Sequence, residues 1–123
     1  MSERTLRNCH ILIVEDEFLL ADDLHIELSD AGAVVLGPVG TVADAVAIAS
    51  SEQRIDGAIL DVNLGGDQGY PVADLLIERG VPLLFTTGYD GASLPARFSA
   101  VARCVKPTTI RLITQALGRV IHD

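Results

Sequence analysis

The sequence predicts an α/β fold with a mostly parallel sheet that helices cover on both faces. Two observations lead to this prediction: short apolar runs alternate with amphipathic stretches, and glycine or proline stands at most of the transitions between them. Strands that alternate with helices are joined by right-handed crossovers, which makes the strands parallel and places helices on both faces. A length of 123 residues fits one compact domain, so we expect a single domain over residues 1–123.

The apolar pattern of the first half of the chain predicts three strands and two helices. The strands are continuous apolar runs, which is typical of buried strands, and the first helix carries apolar residues at helical spacing. Thr41-Val-Ala-Asp44 matches a capping box that starts the second helix. The predicted elements are strand His10–Val14, helix 18–31, strand 33–36, which ends at Gly37-Pro38, a helix from the capping box to about residue 50, and strand 58–60, which leads into Asp61.

The second half of the chain begins with a polar, glycine-rich loop over residues 63–69. Pro71 suits the first turn of a helix. Residues 89–99 are rich in Gly, Ser and Pro, so we expect the fourth helix to be short or irregular. The other predicted elements are helix 71–79, strand 81–85, which leads into Thr86-Thr87-Gly88, strand 101–105 and a last helix that Pro107 opens.

The charge balance and the cysteine content argue against several kinds of protein. The net charge is −8 and the nine Lys and Arg residues are scattered, whereas nucleic-acid binding needs clustered basic residues. Cys9 and Cys104 lack metal-ligand spacing, so we expect two reduced thiols. No apolar run approaches the roughly 18 residues that span a bilayer. The N-terminus MSERTLRN has no signal-peptide core, so we expect a cytoplasmic protein with no membrane partner.

Side chains that can carry chemistry follow four of the predicted strands. Glu15 and Asp16 follow the first strand, Asp61 the third, Thr87 the fourth and Lys106 the fifth. The carboxyl ends of parallel strands meet at one edge of a sheet, and ligands bind beyond that edge. We therefore expect three carboxylates, a hydroxyl and an ammonium group to lie together there.

This set of groups indicates a particular chemistry. Clustered carboxylates repel one another and favour a bound cation. Oxygen ligands suit Mg²⁺, which prefers octahedral coordination and keeps several waters. An aspartate can act as a nucleophile and form an aspartyl-phosphate, while an ammonium group and a hydroxyl hold the phosphoryl oxygens. The cluster therefore indicates phosphoryl transfer onto an aspartate.

Four short motifs resemble those of response-regulator receiver domains in order and spacing. Each motif alone is weak evidence, whereas all four together on the expected strand ends are strong evidence. The resemblance covers the chain from about His10 to its end, and implies a flavodoxin-like, doubly wound (βα)5 fold with strand order 2-1-3-4-5. The motifs are Val14-Glu15-Asp16-Glu17, Leu60-Asp61-Val62-Asn63-Leu64, Phe85-Thr86-Thr87-Gly88-Tyr89 and Val105-Lys106-Pro107.

The resemblance implies which residues receive the phosphoryl group and bind the metal. Asp61 takes a phosphoryl group from a histidine kinase or a histidine phosphotransfer protein. Asp16, Asp61 and the backbone carbonyl of Asn63 bind Mg²⁺, and Glu15 acts through a metal-bound water. The protein is then a phosphoacceptor of two-component signalling rather than an enzyme, because it catalyses only its own phosphoryl transfer and dephosphorylation.

The resemblance also implies roles on the other side of the phosphoryl group. Thr87 hydrogen-bonds this group and shifts on activation, and Lys106 pairs with it. The Lys106–Pro107 peptide bond is expected to be cis, which is rare enough elsewhere to be a deliberate feature. The downstream target is a protein that the sequence does not name.

The sequence departs from the common receiver pattern at three places. Gly65 replaces a proline of the loop after Asp61, Arg103 replaces the usual switch aromatic, and Tyr89 is the nearest aromatic residue to the site. This combination resembles an alphaproteobacterial subgroup with a Phe-Ala-Thr-Gly type motif, whose fourth helix is short or replaced by a loop. It implies that phosphorylation orders the segment 89–98, with Arg103 as a second candidate for switching or partner docking.

Two other classes of protein agree less well with the sequence than a receiver does. A haloacid dehalogenase-type phosphatase carries a second aspartate two residues after its nucleophile, whereas Asn63 stands at that position and cannot protonate a leaving group. A flavodoxin-like redox carrier needs a phosphate-binding loop after its first strand, where the acidic run from Glu15 to Glu17 would repel a flavin phosphate. No effector domain follows Asp123, so output through another protein, a phosphate-sink role or excision from a longer chain all remain open.

Overall fold

The computed structural model describes residues 5–88 and 94–122. Five parallel strands form one sheet in the order β2-β1-β3-β6-β7, which confirms the predicted order 2-1-3-4-5 and the flavodoxin-like fold. The elements are β1 (His10–Val14), α1 (Phe18–Asp30), β2 (Val34–Val39), α2 (Val42–Ser51), β3 (Gly57–Asp61), β4 (Asn63–Leu64), β5 (Asp67–Gln68), α3 (Tyr70–Glu78), β6 (Leu83–Thr87), β7 (Ala102–Val105) and α4 (Ile110–His122).

Two apolar layers lie on opposite faces of the sheet. Side chains alternate between the faces along a strand, so Leu60 and Phe85 contribute to one layer while Ile59 and Leu84 contribute to the other. Residues of α2 and α3 complete the first layer, and residues of α1 and α4 complete the second. Burial on both faces explains why β1, β3 and β6 are continuous apolar runs rather than alternating ones.

Three predicted boundaries were wrong. β2 continues through Gly37-Pro38 to Val39, because the register with β1 shifts at this point and lets an edge strand accommodate a proline. The predicted loop 63–69 contains the antiparallel pair of β4 and β5. The last helix begins at Ile110 rather than at Pro107, since Thr109 Oγ1 accepts a hydrogen bond from the amide of Leu112 and Thr109 thereby caps the helix.

The predicted short or irregular fourth helix is only partly described: residues 94–101 form a 3₁₀ turn, Ala96–Phe98, and residues 89–93 lie outside the described residues. Phe98 is fully buried, with its ring centroid 5.4 Å from that of Tyr70 and 5.5 Å from that of Phe85. Arg97 donates two hydrogen bonds of 3.0 and 3.1 Å to the carboxylate of Asp74 in α3. The 3₁₀ turn is therefore attached to α3 and β6. Within the described residues, no helix has the length and apolar character that crossing a membrane requires.

Candidate functional site

The carboxyl edge of the sheet brings acidic residues from two central strands together. Glu15 and Asp16 follow β1, and Asp61 is the last residue of β3. One carboxylate oxygen from each of these residues lies within 4.8 Å of the others. Glu15 and Asp61 are buried, whereas Asp16 is exposed to solvent. The predicted cluster of three carboxylates thus has two members in the protein interior and one at the surface.

Lys106, which follows β7, links these carboxylates. Its Nζ lies 2.9 Å from Asp61 Oδ2, 3.2 Å from Glu15 Oε1 and 3.8 Å from Glu17 Oε1. Burial of the ammonium group lowers its pKa, but the hydrogen bonds and the charges of Asp61 and Glu15 outweigh this effect and raise the pKa of Lys106 above its usual value. Lys106 is therefore charged throughout the physiological pH range.

The surroundings of Glu15 disfavour its ionised form. Burial, together with the neighbouring Asp61 carboxylate, raises the pKa of Glu15 to about 7, although the backbone amide of Glu17 and the ammonium group of Lys106 oppose this shift. Glu15 Oε1 is buried; Lys106 Nζ lies 3.2 Å from it, but no donor within the described residues forms a hydrogen bond of suitable geometry with it. A buried carboxylate oxygen that has an ion-pair partner but no hydrogen bond can also accept a cation or a cation-bound water, so the residues present suit Mg²⁺.

Backbone geometry fixes the Asp61 side chain. Oδ1 accepts a hydrogen bond of 3.0 Å from the amide of Asn63, and Oδ2 accepts one from Lys106. Gly69 lies against this strand end: its amide donates to the carbonyl of Val62 at 2.7 Å, and a Cβ added at Gly69 would lie 3.0 Å from the carbonyl oxygen of Asp61. Asn63 is exposed, and its side-chain oxygen accepts a hydrogen bond from the amide of Gly66.

Thr87 and the Lys106–Pro107 peptide bond lie at the ends of the strands that border this centre, and Arg103 lies in β7. Thr87 is buried at the end of β6, and its carbonyl accepts a hydrogen bond of 2.6 Å from the amide of Lys106. The Lys106–Pro107 peptide bond is cis. Arg103 is half-buried in β7, pairs in register with Phe85 and donates to the carbonyl of Ser99 at 3.4 Å. Tyr89 lies outside the described residues.

Three further residues belong to the site without having been named as site residues. Glu17 approaches Lys106, Gly69 leaves room for the carbonyl of Asp61, and Thr86 lies beside Asp61 in the sheet. Glu17 could have been found, because it directly follows the acidic pair. Gly69 and Thr86 carry no local signal, since their importance comes from contacts between segments distant in the chain.

This arrangement can accept an electrophile. Asp61 offers an anionic oxygen, an adjacent ammonium group can offset the charge of incoming oxygens, and two further carboxylates can hold a cation. These are the groups that phosphoryl transfer onto a carboxylate requires. The same groups do not form a nucleotide cradle or a general acid–base pair directed at a separate substrate.

Comparison with known proteins places the chain in a family. It resembles SdrG from Sphingomonas melonis Fr1, with 40% identity, coverage of 98% of both chains and a TM-score of 0.78. It is 36% identical over 114 residues to the phyllosphere-induced regulator PhyR of Methylorubrum extorquens, covering 87% of this chain and 43% of PhyR. The receiver domain of the sensor histidine kinase PA1611 from Pseudomonas aeruginosa PAO1, solved with a magnesium ion coordinated in its active-site cleft, is 24% identical, with a TM-score of 0.78 and coverage of 94% of this chain and 99% of that one.

The chain belongs to the response-regulator receiver domains of two-component signalling. No protein-family model matches it. It spans less than half the length of the curated relatives that it matches.

Proposed function

We propose that this receiver domain accepts a phosphoryl group on Asp61 from a histidine kinase or a histidine phosphotransfer protein. The observation that carries the proposal is the setting of the Asp61 carboxylate, which is buried, bonded to the amide of Asn63 and to Lys106, and close to two more carboxylates. Asp67 and Asp74 are exposed alternatives, and Asp74 is paired with Arg97 at the surface. Asp61 is therefore the nucleophile of the site.

The transfer is a displacement at phosphorus. An Asp61 oxygen forms the new bond, the bond from phosphorus to the donor's imidazole nitrogen breaks, and the electron pair returns to that nitrogen. Lys106 offsets the negative charge of the phosphoryl oxygens, and the Thr87 hydroxyl, at the adjacent strand end, donates a hydrogen bond to them. The amide of Asn63 keeps the Asp61 side chain oriented for attack.

Mg²⁺ would be held by Asp16, Asp61 and the carbonyl of Asn63, with Glu15 bound through water. When bound, it supplies positive charge that reduces the repulsion between these carboxylates and the phosphoryl oxygens. Support for this assignment comes from the three neighbouring carboxylates and from the buried Glu15 Oε1, which lies near Lys106 but accepts no hydrogen bond within the described residues. Asp16 is the member of this set whose carboxylate is open to solvent.

We further propose that the chain belongs to the receivers with a Phe-Ala-Thr-Gly type motif. We also propose that it is located in the cytoplasm. The 3₁₀ turn Ala96–Phe98, found in the described part of the segment between β6 and β7, supports the assignment to these receivers, as does the similarity to SdrG. In this proposal, phosphorylation acts on a downstream protein through the segment that follows Thr87, which includes Tyr89 and ends at Phe98, and Arg103 contributes to partner docking.

The first prediction tests the phosphoryl acceptor. Incubation with acetyl phosphate and Mg²⁺ should yield a single phosphoryl adduct by intact-mass measurement, and Asp61→Asn should abolish it, because an amide is not a nucleophile toward phosphorus. Asp67→Asn changes an exposed carboxylate of the neighbouring hairpin and should leave the adduct unchanged. An adduct that persists in the Asp61 variant would show that another residue is the acceptor.

A further inference from the structure

The hydroxyl of Thr86 is fully buried and has no hydrogen-bond partner among the residues that the structure describes. Within the described residues, buried side-chain polar atoms without a partner are Thr86 Oγ1 and Glu15 Oε1. Buried polar groups are almost always hydrogen-bonded, so each exception requires an explanation. The Glu15 oxygen is explained by the cation site. The proposed function leaves the Thr86 hydroxyl unused.

The sheet register places Thr86 directly beside the phosphoacceptor. Asp61 and Thr86 are partners in the pairing of β3 with β6, and adjacent strands lie about 4.8 Å apart. Thr86 also pairs with Cys104 of β7, and Lys106 stands two residues beyond Cys104. Thr86 therefore has Asp61 beside it on one flank and Cys104, two residues before Lys106, on the other.

The same two residues share one face of the sheet. Leu84 and Ile59, which precede Thr86 and Asp61 by two positions, both belong to the layer under α1 and α4. Alternation along a strand therefore directs Thr86 and Asp61 to this face, whereas Thr87 follows Phe85 to the opposite face. The two adjacent threonines thus approach the strand edge from opposite sides.

In the unphosphorylated state, both oxygens of Asp61 already have donors. The amide of Asn63 donates to Oδ1 and Lys106 donates to Oδ2, which leaves Thr86 without a role. A phosphoryl group on Asp61 draws the Lys106 ammonium toward its more negative oxygens. When Oδ1 bonds to phosphorus, Oδ2 remains the carbonyl oxygen and loses Lys106, while the amide of Asn63 stays at Oδ1. Oδ2 then needs a new donor, and Thr86 carries the neighbouring hydroxyl.

We propose that Thr86 Oγ1 donates a hydrogen bond to the carbonyl oxygen of phosphorylated Asp61 and thereby shortens the lifetime of the phosphoryl group. This inference rests on the proposed phosphorylation of Asp61. In hydrolysis, a water oxygen bonds to phosphorus, the bond from phosphorus to Asp61 breaks, and its electron pair returns to the Asp61 carboxylate, while the water proton goes to solvent or to the released phosphate. A donor at the carboxyl stabilises the charge that grows there, so Thr86 accelerates the step.

The test compares Thr86→Val with Thr86→Ser. Each chain is phosphorylated with acetyl phosphate and Mg²⁺, desalted, and followed by intact mass as the adduct decays. Thr86→Val keeps the shape but removes the hydroxyl, and its dephosphorylation rate constant should fall about threefold to tenfold, which is the usual effect of one hydrogen bond. Thr86→Ser keeps the hydroxyl and should decay within about twofold of the wild-type rate.

Two further measurements separate a role in the reaction from a role in folding. The unphosphorylated Thr86→Val chain should melt no lower than the wild type, because the variant removes a buried hydroxyl that has no partner. Thr114→Val makes the same chemical change in α4, where the hydroxyl donates to the carbonyl of Ile110, and should leave the decay rate unchanged.

The outcomes distinguish the two proposals. An adduct on the wild-type chain that decays at the same rate in Thr86→Val, or a serine variant as slow as the valine variant, would overturn the role of Thr86 and leave phosphorylation of Asp61 intact. Absence of any adduct on the wild-type chain would overturn both. Slow decay in Thr86→Val with rescue by serine supports the inference.

Discussion

At the scale of single residues, the site is a balance between one ammonium group and several carboxylates. Lys106 lies 2.9 Å from Asp61 and 3.2 Å from Glu15, and both carboxylates are buried. Burial would favour protonation of a carboxylate, and the ammonium group counteracts this for its partners. Glu15 remains only partly compensated, since its pKa is still raised to about 7.

The raised pKa of Glu15 predicts how stability depends on pH without metal. Its folded value of about 7 exceeds the ordinary 4.5, so ionisation of Glu15 destabilises the fold progressively between pH 4.5 and pH 7 and fully above that range. Glu15→Gln removes this penalty. In EDTA at pH 8.5, urea unfolding should show a gain for Glu15→Gln of about 3 kcal/mol at most, and at pH 4 little difference should remain.

Glu78→Gln is the matched control, because Glu78 is an exposed carboxylate at the end of α3. It should change the free energy of unfolding little at either pH. A Glu15→Gln gain that is equal at both pH values would contradict the prediction, since a penalty from ionisation must disappear when the carboxyl is protonated.

At the scale of elements, the 3₁₀ turn between β6 and β7 depends on one aromatic side chain. Phe98 packs between Tyr70 of α3 and Phe85 of β6, and Arg97 both stacks 4.4 Å above the Phe98 ring and bonds to Asp74. The exposed ion pair contributes little by itself. The buried ring therefore provides most of the stability with which this turn is attached.

Removal of this ring should be costly. Phe98→Ala should lower the free energy of unfolding by about 3–5 kcal/mol, because it deletes a fully buried aromatic side chain and leaves a cavity. Phe18→Ala removes the same group from a position that is 77% exposed and should change stability little. Denaturant unfolding measures both, and equal effects of the two variants would show that Phe98 is not a structural anchor.

At the scale of the whole molecule, the site is a property of the sheet order. Two central strands deliver Glu15, Asp16 and Asp61, and an edge strand delivers Lys106, so residues separated by as many as 91 positions meet at one edge. A ligand that bridges these strands must stabilise the whole fold, because it binds the folded chain and not the unfolded one.

Mg²⁺ should therefore raise the melting temperature of the wild-type chain. At a concentration a hundred times its dissociation constant, the gain is about 2.7 kcal/mol. Asp16→Ala should remove most of this increase, whereas Asp22→Ala, an exposed carboxylate of α1, should retain it. A thermal-shift titration with Mg²⁺ measures this increase in melting temperature. An undiminished increase in Asp16→Ala would exclude Asp16 as a metal ligand.

Contacts that follow from the order of the strands could be predicted from the sequence, whereas contacts that depend on local packing could not. The convergence of Glu15, Asp61 and Lys106 could be predicted because the carboxyl ends of parallel strands share one edge. The hairpin of β4 and β5 could not, since two-residue strands have too few residues to show a period. The orphaned hydroxyl of Thr86 could not either, because the absence of a partner is a property of the packed structure rather than of the chain.

The two adjacent threonines at the end of β6 connect this strand end to both faces of the sheet. Thr86 faces the layer of α1 and α4, and Thr87 faces the layer that contains Phe85 and Phe98. A displacement of this strand end would therefore change the packing of both apolar layers at once.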